Sequence, residues 1–207
     1  AIVSYRSSGV AGLFGRTDDG EILRFNTNSA TTGKIGSSGG DDLFILATSG
    51  AGMLLQGSAV LPANSSGASV DDDRDLGSSS KRWRDIYTNG AVTTSSDQNE
   101  KQDIANLSAK ELKVANKLSA LFKTYRWKDR VAEKGDKART HSGIIAQDIQ
   151  SAFSAEGLDA SNYGMFISNT WTDEEGKEKT RLAVRYTELF SFIFSSIEAR
   201  LTALESK

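Results

Sequence analysis

The chain has 207 residues, enough for one large or two small domains, and 38% hydrophobic with 25% charged side chains is a composition that folds. A formal net charge of -2 gives no electrostatic reason to expect nucleic acid as a partner, and with no cysteine and a single histidine neither disulfides nor a transition-metal site is expected. No apolar run approaches the roughly 18 residues of a membrane span, so membrane insertion is not expected either.

The opening Ala1-Ile2-Val3-Ser4-Tyr5-Arg6 does not read as a signal peptide, and the lack of an initiator methionine leads us to expect a fragment or a processed product. Residues 1–96 hold 14 of the 19 glycines and the only proline, Pro62. Apolar clusters recur at Ile22-Leu23, Leu43-Phe44-Ile45-Leu46, Met53-Leu54-Leu55 and Val60-Leu61, with Asp19-Gly20, Ser38-Gly39-Gly40 and Ser49-Gly50 as turns between them. Short strands at that spacing predict an all-β segment. One copy has little apolar surface to set against the entropy of ordering so many glycines, so we expect three copies to intertwine into a homotrimeric, triple β-helix-like fibre. A small monomeric sandwich is the alternative.

Asp71-Asp72-Asp73-Arg74-Asp75 lacks the glycine and distal glutamate of an EF-hand and reads as a solvated turn rather than a calcium loop. It and Asp41-Asp42 are acidic clusters of the first half, and both lie among turn residues. A glycan-degrading site needs two carboxylates across a groove, so that function is the weakest of those considered. Trp83, Ile86 and Tyr87 have the spacing of one helical turn, which we expect to form a hydrophobic plug under the end of the fibre.

The character changes across Ser95-Ser96-Asp97-Gln98-Asn99-Glu100-Lys101-Gln102-Asp103-Ile104, which sets a serine and a lysine five residues apart at the boundary of two domains, 1–96 and 97–207. Beyond it, Ser108 and Glu111 predict a capping box, followed by Leu112, Ala115, Leu118 and Leu121/Phe122 on one helical face. Phe122 to Trp127 suits a strand, and the charged Lys128 to Arg139 stretch is expected to loop into solvent. Thr140 to Ile149 leads into a second helix ending near Gly157. Met165 to Trp171 and Thr180 to Val184 predict a hairpin with a charged tip. From Arg185 to Lys207, Phe190, Phe194, Ile197, Leu201 and Leu204 form a heptad seam, with Phe192 as extra apolar surface leaning toward association. The whole is therefore expected to be α+β and trimeric, with a mixed helix and strand domain that ends in a long helix.

These pieces, taken together, resemble a known family. The Ser96-Asp97 junction with Lys101 after it, Gly143-Ile144-Ile145-Ala146-Gln147-Asp148, and Val184-Arg185-Tyr186 running into a helix that closes with Arg200-Leu201-Thr202-Ala203-Leu204-Glu205 are similar to the C-terminal intramolecular chaperone domain of bacteriophage tailspikes and tail fibres, of the endosialidase type. Asp75 to Tyr87 resembles the fibre tip that often abuts it. The resemblance implies a domain that trimerises, templates the fibre upstream in the same chain, and is released by self-cleavage between Ser96 and Asp97. Asn99 and Glu100 depart from the family, which often carries an arginine and an apolar residue between its aspartate and lysine. The implied places are the virion tail for the fibre and the host cytoplasm for release during assembly, and a host cell-surface receptor is the implied partner of the mature fibre.

A serine–lysine pair acts only when the lysine is neutral, and burial at a subunit interface favours that form, so scission would wait for assembly. Ser96 attacking its own carbonyl would close a four-membered ring. Three routes to the Ser96–Asp97 bond stay open: Ser96 acting on a neighbouring chain, a water positioned by Ser96 and Lys101, or the Asp97 carboxylate through a six-membered ring. His141 is a candidate supporting acid or base and Gln147 a candidate oxyanion donor, each with a purely structural role as its alternative. No phosphate-binding glycine loop is visible and no cofactor is expected. The rival function is an uncleaved structural receptor-binding fibre tip.

Overall fold

The computed structural model describes residues 13–206, so the Ala1-Arg6 opening lies outside the described residues. Contacts divide the chain between Ser78 and Ser79, and the Ser96–Asp97 bond falls inside the second unit.

The described part of the first unit is one antiparallel meander of β1 (Gly20–Thr27), β2 (Ala30–Ser38), β3 (Asp42–Ala47), β4 (Gly52–Gln56) and β5 (Ala59–Ala63), each strand paired with its neighbours in sequence. The β1–β2 hairpin turns on Asn28 and Ser29, both with positive φ, as a two-residue turn matched to strand twist requires. Pro62 sits on the outer strand β5, where its missing N–H breaks no inner ladder. Phe44, Leu46, Leu54 and Ala63 are buried on one face, with Leu61 packed against them. Gly36 and Gly67 permit this, because a Cβ at either would strike the Phe44 ring. The segment after β5 folds back through Asn64, whose Oδ1 accepts from the Ser66 and Ala68 amides at 2.9 and 3.2 Å.

The opposite face is also apolar and is exposed. Leu43 pairs with Leu55, Ile45 with Met53 and Leu55 with Val60 across the strands, and all five stand in solvent. No second sheet covers them, and no sandwich is formed, among the described residues. A sheet apolar on both faces loses roughly 25 cal/mol of stabilisation for each Å² left in water.

The second unit is α+β. It contains α1 (Ala109–Ser119), β6 (Lys123–Tyr125), α2 (Lys128–Lys134), β7 (His141–Gly143), α3 (Ala146–Ala155), the β8–β9 hairpin (Phe166–Thr172 and Glu178–Val184) and α4 (Tyr186–Glu205). The capping box at Ser108 and Glu111 is complete. Helix α3 ends before Gly157, whose φ of 69° suits the left-handed C-terminal position. Val114, Ala115 and Leu118 of α1, Ile149, Ala152 and Phe153 of α3, and Leu189, Phe192 and Ile193 of α4 form one core. The Phe153 ring lies 4.4 Å from that of Tyr163 and 5.8 Å from that of Phe192.

Three expectations are corrected. Residues 128–134 are helical rather than looped, because Asp129 stands in the first turn, Lys134 in the last, and Arg130 pairs with Glu133 one turn on at 2.6 Å. Trp83, Ile86 and Tyr87 form no helical turn and are exposed within the single chain, Trp83 by 63%. Phe192 is not spare surface for association. It is 7% exposed and belongs to the domain's own core, and the heptad seam is what α4 leaves open.

Candidate functional site

Between Ala91 and Asn106 every residue is exposed, and the only regular element is the 3-10 turn Gln98–Glu100. Asp97 nucleates it: its side chain accepts from the Asn99 backbone amide at 2.9 Å and from Asn99 Nδ2 at 3.0 Å. The backbone closes behind it, with Glu100 N–H donating to Asp97 O at 3.2 Å and Lys101 N–H to Gln98 O at 3.1 Å. Lys101 then returns to extended backbone, φ -122° and ψ 146°.

That turn folds the chain back on itself by five residues. Lys101 Nζ lies 2.6 Å from Ser96 Oγ and donates to it. In the neutral form the same pair reverses, and the amine accepts the serine proton, which is the arrangement a serine–lysine base requires. Beside it, Ser95 Oγ donates to a Glu100 carboxylate oxygen. One oxygen of Asp97 is held by Asn99 as the turn's cap, which competes with its use against the Ser96 carbonyl.

The two candidate supporting residues stand apart from this pair. His141 is stacked on Tyr125 with ring centroids 5.8 Å apart and meets Trp127 edge-on at 6.3 Å. Gln147 lies exposed in the first turn of α3, where its backbone carbonyl accepts from Ser151 Oγ at 2.9 Å. No hydrogen bond joins either to Ser96 or Lys101 among the described residues. No group of three or more His, Asp or Glu that would hold a metal is present among the described residues.

The sequence reading did not find the grip on Ser95 or the contacts of Arg181. The Arg181 guanidinium donates to the Ser79 carbonyl and lies 4.9 Å over the Trp171 ring, and Lys81 pairs with Glu174 at 3.1 Å, so the β8–β9 hairpin holds the strap of chain that leads toward the junction. Only the Asp97-Gln98-Asn99 pattern, a common turn signal, announced any of this locally.

On α4, Phe190, Phe194, Ile197, Leu201 and Leu204 are all exposed, Phe194 by 64% and Leu204 by 65%, on a stripe that borders buried Leu189, Ile193 and Ser196. Phe190, at the start of that stripe, stacks on Phe122 with ring centroids 5.9 Å apart, and the rest of the stripe stays open.

Comparison with known proteins follows the same division. The family described as chaperone of endosialidase, and classed as a peptidase, matches residues 96–158, beginning on Ser96 itself. The probable tail spike protein of Klebsiella phage 0507-KN2-1 is 34% identical over 94% of this chain, and the tail spike protein of Escherichia virus K5 is 35% identical over 70% of it. The chain spans 17% and 24% of the length of those relatives. In fold it is similar to the carboxy-terminal domain of the bacteriophage T5 L-shaped tail fibre with its intramolecular chaperone domain, with a TM-score of 0.67 and 19% identity over 100% of this chain and 62% of that one.

Proposed function

We propose, from the match of residues 96–158 to the family described as chaperone of endosialidase, that residues 97–207 are an intramolecular chaperone for a phage tail fibre or tailspike, released by scission between Ser96 and Asp97. Residues 1–96 are the end of the fibre. The domain brings three chains together through the open seam of α4, and the exposed faces of three β1–β5 sheets then bury one another. A homotrimer accounts for both apolar surfaces with one kind of partner, two further copies of the same chain.

Hydrolysis consumes one water and leaves a carboxylate on Ser96 and an amino group on Asp97. Ser96 and Lys101 carry it, and Lys101 must be neutral to take a proton. In the single chain Lys101 is exposed. Cover by neighbouring subunits desolvates it and so makes scission follow assembly. The fibre part remains in the virion tail, where a host-surface receptor is its partner, and the chaperone part is shed in the host cytoplasm.

The observation that most supports this reading is the 2.6 Å contact of Lys101 Nζ with Ser96 Oγ at the first residue of the family match. Intact-mass analysis of the wild-type and Ser96→Ala chains, with sizing under native conditions, tests it. The expected result is a split wild type, a whole Ser96→Ala chain, and threefold assembly of both. A wild type that assembles yet stays whole indicates instead the uncleaved structural tip.

A further inference from the structure

Two serines stand side by side at the junction, and their hydroxyls are chemically equivalent. Both lie five residues before a side chain able to bond them, Ser95 before Glu100 and Ser96 before Lys101, and both bonds close across the same turn. A lysine on so short a loop has two hydroxyls within its reach, so sequence spacing alone does not decide which one it serves. The carboxylate of Glu100 decides it. A serine hydroxyl has one proton to donate, and Ser95 gives that proton to Glu100.

We propose that Glu100 is a positioning residue that holds Ser95 out of competition for Lys101 and thereby sets the register of the cut. The inference rests on the Ser96–Lys101 reading above and adds the residue that makes it selective. Glu100 touches neither the scissile bond nor the lysine amine in this role. It acts through Ser95, by charge-assisted hydrogen bonding to a group one residue upstream of the pair. Its counterpart on the other side is Asp97, which caps the turn and keeps residues 100 and 101 facing 95 and 96.

Removing the carboxylate frees a second hydroxyl. If two equal hydroxyls share one lysine, the competent arrangement is occupied about half the time, and the rate of the Ser96–Asp97 cut falls about twofold. The test follows the wild type, Glu100→Ala, Glu100→Gln and Ser95→Ala/Glu100→Ala as full chains, scoring rate by denaturing electrophoresis, product by intact mass, and assembly by native sizing. Glu100→Ala is expected to be slower and to yield a second product one serine shorter. Glu100→Gln, whose amide oxygen still accepts from Ser95, should return a single product. The double variant should also recover the single cut, because the competitor is gone, and a merely structural role of Glu100 predicts no such relief. Glu100→Ala chains that give the wild-type product at the wild-type rate overturn the proposal, and so does a slow Glu100→Ala chain that removal of Ser95 does not relieve. If Ser96→Ala or Lys101→Ala chains still split, the serine–lysine reading itself fails, and a wild type that stays whole overturns both.

Discussion

Tyr163 and Glu111 are 52 positions apart and joined in space: the phenol donates to one carboxylate oxygen of Glu111 at 2.9 Å, while the Ser108 backbone N–H donates to the other at 2.6 Å. One side chain thus closes the N-terminus of α1 and ties it to the aromatic core beneath α3 and α4. The bonds to Ser108, with the Tyr163 bond added, hold the Glu111 carboxyl below the usual carboxylate range, and burial, followed by the Glu111 bond, raises the Tyr163 phenol.

A depressed carboxyl contributes stability that is fully present above its unfolded pKa of about 4.3 and is lost as pH falls through its folded value. Thermal unfolding of residues 97–207 followed from about pH 6 down to pH 3 should therefore show an acid-side fall that Glu111→Gln makes shallower. Ser108→Ala, which removes the reciprocal half of the cap, should cost about 1 kcal/mol at neutral pH.

Under the proposed assembly, the buried and exposed residues of α4 separate folding from association. Phe192→Ala removes a ring that packs on Phe153 in the buried core and should destabilise the domain by about 3–5 kcal/mol in denaturant unfolding. Phe194→Ser, on the seam, should leave the domain folded to within about 0.5 kcal/mol and instead shift native sizing toward single chains.

In the first unit the same contrast separates Gly36→Val from Ile45→Glu. The valine has no room beside the Phe44 ring and should cost about 1–3 kcal/mol or more by overpacking. The glutamate stands on the exposed face beside Met53 and should spare the single sheet while abolishing threefold association, read by sedimentation.

Lys101→Arg keeps the charge and the reach toward Ser96 but removes the proton acceptor, since a guanidinium is not deprotonated in proteins. Chains carrying it should assemble as the wild type does and remain whole on denaturing gels. Splitting at the wild-type rate would show that the residue serves as a fixed cation and not as a base.

Where side-chain period and cap agree, the sequence is enough. The Ser108–Glu111 box fixes the start of α1 at Ala109, although Leu121 and Phe122, read onto the same helical face, lie past its end at Ser119, and alternation about Asp173 to Lys177 defines the last hairpin. Strand β2 escaped because Ala30 to Ser38 has a single large apolar residue, Ile35, and its turn uses Asn-Ser in place of the usual glycine pair. Helix α2 escaped because its support comes from charge pairs and end charges, which leave no apolar stripe to read. At the junction the spacing of Ser96 and Lys101 was legible, since a lysine five residues on reaches back across any tight turn. The place of Glu100 was not, because its role depends on how that turn is wound. Phe192 was assigned to the wrong face of α4 because both faces carry phenylalanines, and only packing against Phe153 and Tyr163 distinguishes them.

Every described strand of the first unit pairs with a strand adjacent in sequence, across connections of a few residues. The search for those pairings is therefore local and fast, with little loop entropy to overcome. Nothing in such a meander records how far one polypeptide has slid along another, and Leu, Ile, Met and Val side chains on its open face tolerate many offsets. Slippage between copies is the error such a sheet invites in the proposed trimer, and there it is corrected most economically at the downstream end, where the α4 seams would clamp the chains first.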